Sequence, residues 1–108
     1  MSEEKLTVST VVELPFHGYG VTVDFDNNII AVDNSTHIWK VDAETNGLTK
    51  LTGTAGQGFK DGDLASAQFV KPYDVTIDAS GALIVGDSGN GRIRKVAVED
   101  DAVTTVAG

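Results

Sequence analysis

Apolar residues along the chain fall in short runs, and clusters of Gly, Asn, Asp and Ser separate them. Val21 and Val23 share one face of a strand with Tyr19, the period of two expected of extended chain. Ile29 and Ile30 fall on opposite faces and are both apolar, as in a strand covered on both sides. The pattern predicts strands near 19–24, 29–33, 37–42 and 48–52, and again near 73–78, 83–87, 92–98 and 103–107. The breaks between them hold residues that tolerate left-handed backbone: Asp26-Asn27-Asn28, Ala79-Ser80-Gly81, Asn34-Ser35-Thr36, Ser88-Gly89-Asn90-Gly91 and Thr45-Asn46-Gly47. Asp100-Asp101-Ala102 is a weaker turn sequence.

The second set of strands repeats the first. Tyr19 to Asp24 matches Tyr73 to Asp78, and Ile29 to Asp33 matches Leu83 to Asp87 at the same spacing. One residue is then gained, and Ile38-Trp39-Lys40-Val41 matches Ile93-Arg94-Lys95-Val96. Leu48 to Gly53 matches Val103 to Gly108. Ahead of both, Val8-Ser9-Thr10-Val11 reads like the last strand, Val103-Thr104-Thr105-Val106. The expected organisation is a tail and lone outer strand over 1–13, a first unit over 14–53, a connecting loop over 54–68 and a second unit over 69–108. The fold class is all-β, and four-stranded antiparallel units at this period suggest propeller blades.

Composition narrows the functions. Sixteen acidic residues against 8 basic give a formal net charge of −8, which opposes nucleic-acid or anionic-membrane binding. There is no cysteine, so disulfides and thiolate metal sites are excluded. The acidic start Met1-Ser2-Glu3-Glu4-Lys5 lacks a signal-type apolar core, and no run reaches transmembrane length, so an intracellular, cytoplasmic protein is expected.

The stretch from Phe69 to Val96 resembles the NHL repeats, a family of six-bladed propellers. Pro72-x-x-Val75, Asp78-x-x-Gly81, Asp87, the Gly89-Asn90 turn and Arg92-Ile93-Arg94-Lys95 carry the likeness. Gly53 to Phe69 is similar to the long loop between blades in one branch of the family. The first unit departs from the pattern at His17-Gly18, at Asn34 to His37 and at Trp39. The resemblance implies two antiparallel blades plus one extra N-terminal strand within a six-bladed propeller. It implies little about function, because the family spans ligand-, protein- and RNA-binding modules and a few lyases.

Two blades leave apolar faces open. Either three copies close a ring of six, or the chain belongs to a longer one. The redundant strand near 7–12 favours the second slightly. Expected partners are therefore copies of itself, further blades, and an unidentified protein or small ligand.

No catalytic signature, cofactor motif or metal motif is evident. Asp24, Asp26 and Asn28 have the one-three-five spacing of a calcium loop but lack its glycine and distal glutamate, which favours a polar turn. Asp61 and Asp63 suit capping of the 64–68 stretch better than cation binding. His17 and His37 read as surface side chains. Asp33 and Asp87 recur at strand ends, so bonding to the following turn is favoured over a ligand-facing role. Arg92, Arg94 and Lys95 form the basic cluster, expected as a solvated or ion-paired strand surface, with Arg92 and Arg94 as possible interface residues. Trp39 is an interface anchor or core. Gly53 to Gly58 lacks what a phosphate loop needs. The repeat positions are Asp24, Asp33, Asp78, Asp87, Gly81 and Asn90. A non-enzymatic binding module is the leading expectation; a fragment of a metal-dependent lyase-like or hydrolase-like propeller enzyme is the alternative.

Overall fold

The computed structural model describes residues 19–33, 36–52 and 56–108. The anticipated lone strand over 1–13, the start of the first unit and His17 lie outside the described residues, as do Asn34, Ser35 and 53–55.

Short turns bring consecutive strands side by side, which dictates antiparallel pairing. β1 (Gly20–Val23), β2 (Ile29–Val32), β3 (Ile38–Val41) and β4 (Leu48–Lys50) form one sheet in chain order. β5 (Pro72–Ile77), β6 (Leu83–Asp87), β7 (Arg92–Ala97) and β8 (Ala102–Ala107) form a second with the same order. The turns work as their residues suggest. Asp24 Oδ1 accepts the backbone N–H groups of Asp26 and Asn28, both at 2.9 Å, and Asn27 takes φ 66°. In the second unit Asp78 Oδ1 accepts the N–H groups of Ser80 (2.8 Å) and Ala82 (3.0 Å), and Gly81 takes φ 89°. Asn46 and Asp101 are left-handed at matching positions of the last turn, at φ 61° and 49°. The Asp100-Asp101 turn, unpromising in sequence, therefore closes like its counterpart, because Asp tolerates that conformation better than most residues.

Register divides each sheet into two faces. In the first, Gly20 pairs with Val32 and Val32 with Ile38, while Thr22, Ile30, Lys40 and Thr49 form the neighbouring row of the same face. In the second, Val75, Val85, Arg94 and Thr105 form one row and Ile77, Leu83, Val96 and Val103 the next. Ile30, Val32 and Ile38 share one buried cluster with Val75, Leu83, Val85, Val96 and Val103. The two faces in contact are thus not equivalents of each other. One face of the first sheet lies on the opposite face of the second, with β1 and β2 against β5.

The connection 56–69 fills the outer part of this layer. Its Ala67 and Phe69 are fully buried, with Leu64 packed against them. Gly62 and Val103 exchange two backbone hydrogen bonds (3.1 and 2.7 Å), tying the connection to the edge strand β8. Among the described residues no helix is long and apolar enough to cross a membrane.

Gly81→Ala forces a side chain into left-handed backbone and is expected to cost roughly 1–2 kcal/mol. Asn27→Gly at the matching position stays within about 0.5 kcal/mol of the parent. Urea unfolding of both variants checks this.

Candidate functional site

A charged residue in a strand is buried only when its hydrogen-bonding groups are satisfied. Arg94 lies on the same face as Val85 and Val96 and is fully buried. Its Nη1 donates to Asp87 Oδ2 (2.7 Å) and to the Gln68 carbonyl (2.9 Å). Nη2 donates to the Lys60 carbonyl (2.8 Å) and Asp61 Oδ1 (3.0 Å), and Nε to Asp61 Oδ1 (3.3 Å). The guanidinium lies 5.0 Å from the Phe59 ring centre and 4.6 Å from that of Phe69. Its five N–H groups are therefore all engaged, and two aromatic rings flank it.

Asp87 is equally buried. Its Oδ1 accepts the Val70 N–H (2.8 Å), and its Oδ2 also accepts Asn90 Nδ2 (2.7 Å). Asn90 donates further to the Gly58 carbonyl (3.0 Å). Asp61 accepts the Thr105 N–H (3.2 Å) and hydroxyl (2.9 Å). One arginine thus joins β6, β7 and both ends of the 56–69 connection.

The first unit solves the same problem differently. Trp39 occupies the place of Arg94, and its indole N–H donates to Asp33 Oδ2 at 3.0 Å. Asp33 Oδ1 accepts the N–H groups of Thr36 (3.1 Å) and His37 (3.0 Å), and His37 Nδ1 lies 3.2 Å from Oδ2. Lys50 sits 5.3 Å from the Trp39 ring centre.

Several expectations need correction. Arg94 is ion-paired, to Asp87 and Asp61, but it is buried and not on a strand surface, and it presents no guanidinium N–H to a partner, because the 56–69 connection folds over it. Arg92 shares that strand face, is only partly exposed, and lies 5.3 Å from the Phe59 ring centre. Asp87 does not bond to the turn backbone that follows it, as Asp33 does; its Oδ1 accepts from the incoming chain at Val70 and its Oδ2 from Arg94 and the Asn90 side chain. His37 is part-buried rather than a plain surface side chain. The turn reading of Asp24 and the capping reading of Asp63 agree with the geometry: Asp63 Oδ1 accepts the Ser66 N–H (2.7 Å) and hydroxyl (2.6 Å). Asp61 does not cap that stretch; its carboxylate accepts from Arg94 and Thr105 instead. Phe59, Phe69 and Thr105 were not anticipated as members of the cluster. The signal was available, since strict alternation along β7 sets Arg94 on the face of Val96.

The Ser66 hydroxyl holds the Asp63 carboxyl below its ordinary value of 3.8. The Ser80 hydroxyl does the same for Asp78, and the Thr45 N–H for Asp42. A cavity of about 300 Å³ opens between the sheets at the turn end, with Lys40 and Lys95 at equivalent positions and Asp24, Asp26, Glu99 and Asp100 around them. Among the described residues no three His, Asp or Glu side chains come together as metal ligands would.

No family model matches the chain. Over 94 residues it is 35% identical to protein SUPPRESSOR OF QUENCHING 1, chloroplastic, of Arabidopsis thaliana, a match covering 83% of the chain and 9% of that protein. A crystal structure of a structural genomics protein of unknown function from Bacteroides thetaiotaomicron superposes with a TM-score of 0.74 at 25% identity, over 97% of this chain and 27% of that one. The chain thus spans only a small part of each.

Arg94→Met leaves Asp87 buried without its cation and is expected to cost about 3–5 kcal/mol in urea unfolding. The lowered carboxyls of Asp42, Asp63 and Asp78 stabilise the fold fully above 3.8, and that contribution is lost as pH falls through their lower folded values. The urea midpoint should accordingly drop between about pH 5 and pH 2, and drop less in Ser80→Ala, which lacks the main group lowering Asp78.

Proposed function

We propose that the chain is a pair of NHL-type propeller blades. It acts as a non-enzymatic module for binding a protein or ligand, within a six-bladed ring completed by further blades. The observation that carries this reading is the head-to-tail contact of the two sheets. Opposite faces of equivalent sheets meet, with the first strands β1 and β5 in contact. Such a contact continues by rotation instead of pairing off, which is how blades build a ring. The Asp78-x-x-Gly81 turn and the Asp87, Asn90 and Arg94 cluster support it, since each family-like residue carries a structural task in the unit. The ring is completed either by three copies or by further blades of one longer chain.

The non-enzymatic half rests on how the candidate side chains are used. Asp24, Asp33, Asp78 and Asp87 engage their carboxylates with backbone N–H groups and neighbouring side chains, and Arg94 engages its guanidinium with carboxylates and carbonyls. The Arabidopsis relative lends no activity or partner to this reading, because the matched stretch is 9% of that protein.

Incubation with excess Ca²⁺, Mn²⁺ or Zn²⁺, followed by desalting and elemental analysis, is expected to leave well under one ion per chain. A stoichiometric ion retained after desalting contradicts the non-enzymatic reading and favours the metal-dependent alternative.

A further inference from the structure

Equivalent positions of the two sheets differ in exposure according to what lies on them. Val75 is 4% exposed where the first sheet covers it, whereas Val21, its equivalent, is 66% exposed. Ile38 is fully buried against the second sheet, whereas Ile93, its equivalent, is 40% exposed. Ile93 shares its face with Ile84, Gly86 and Thr104, and Tyr73 and Val106 project at bulges beside it, 55% and 58% exposed. The open face of the second sheet therefore repeats the face by which the first sheet is already seated. The exposed Tyr19, Val21 and Val23 repeat the seat that β5 provides, at the β1 edge of a face whose Ala31 and Val41 are already buried.

We propose that the open face of the second sheet docks the first sheet of a second copy, with Ile93 and Tyr73 meeting Val21 and Tyr19. The proposal rests on the blade reading above and names the surface through which blades of separate chains join. Within the chain the same kind of contact brings the Tyr19 and Tyr73 rings to 5.3 Å. It also brings Gly20 so close to Asp74 that a Cβ on Gly20 would lie 2.6 Å from the Asp74 Cα. At the new join Asp74 takes the place of Gly20 and meets Gly20 of the second copy, so its Cβ falls where the internal join has none. Gly86, the cross-strand partner of Asp74, has open space above its Cα, where its equivalent Val32 is fully buried. The face is thus emptier beside the place where Asp74 makes it fuller, and the join shifts accordingly. Each copy carries −8, so repulsion opposes the contact and salt strengthens it.

The test is the solution mass by light scattering against concentration, at low salt and at about 0.5 M salt, where screening is short-ranged. It uses the parent, Val21→Lys, Ile93→Lys and an equimolar mixture of the two variants. Lysine lowers the net negative charge, so lost association cannot come from added repulsion. Both positions are exposed, and unchanged circular dichroism and thermal transitions verify folding. The parent should associate, more strongly in salt. Each variant alone should lose about a hundredfold in association constant, from burying an unpaired charge. The mixture should recover two-chain particles, because each variant keeps one intact face. A parent that stays monomeric, variants that associate like the parent, or a mixture that stays monomeric would each overturn the proposal. A monomeric parent leaves the binding-module reading standing, since that reading fails only on a retained metal.

Discussion

A four-stranded sheet whose strands are apolar on both faces cannot satisfy itself. Burial of apolar area is the main favourable term in folding, and each of these sheets has two faces to cover. The chain covers one face of each by laying the first sheet on the second. The outer part of the layer, where the sheets no longer meet, is filled by the 56–69 connection with Phe69, Ala67 and Leu64. Everything distinctive in the molecule follows from that arrangement, including the open face of the second sheet and the exposed β1 edge of the first.

Holding a long connection over a sheet requires fixing its polar backbone where water is excluded. Arg94 does this from β7, donating to two carbonyls and two carboxylates while Phe59 and Phe69 shield it. Buried charge pairs contribute little net stability over apolar packing, yet removing one partner is costly. The cluster therefore specifies where the connection sits more than it strengthens the fold. The first unit keeps the aspartate and replaces the guanidinium with the Trp39 indole, one donor for one acceptor oxygen. Only the aspartate persists through both solutions, as Asp33 bonding its own turn and as Asp87 bonding the incoming Val70.

The repeat, the strand boundaries and the turns were legible in the sequence because they depend on local chemistry. Asn27, Gly81 and Asn46 mark left-handed turn positions whatever surrounds them, and Asp24 and Asp78 need only their own neighbours to make their bonds. Arg94 was not legible in that way. Beside Arg92, Lys95 and the acidic Glu99 to Asp101 run it reads as surface. Its burial depends on Lys60, Asp61 and Gln68, which lie far off in sequence. The same holds for Asp87, whose partner Val70 belongs to the incoming chain. Parity along β7 was the one local clue.

The central claim is that the two sheets share one core and stand or fall together. Native-state hydrogen exchange followed by NMR tests it most directly. Amides of Ile30 and Val32 in β2 should exchange through the same global opening as those of Val75 and Val85, with equal free energies and equal denaturant dependence. Exchange of the β2 amides through a separate, cheaper opening, while β5 and β6 remain protected, would contradict the shared core.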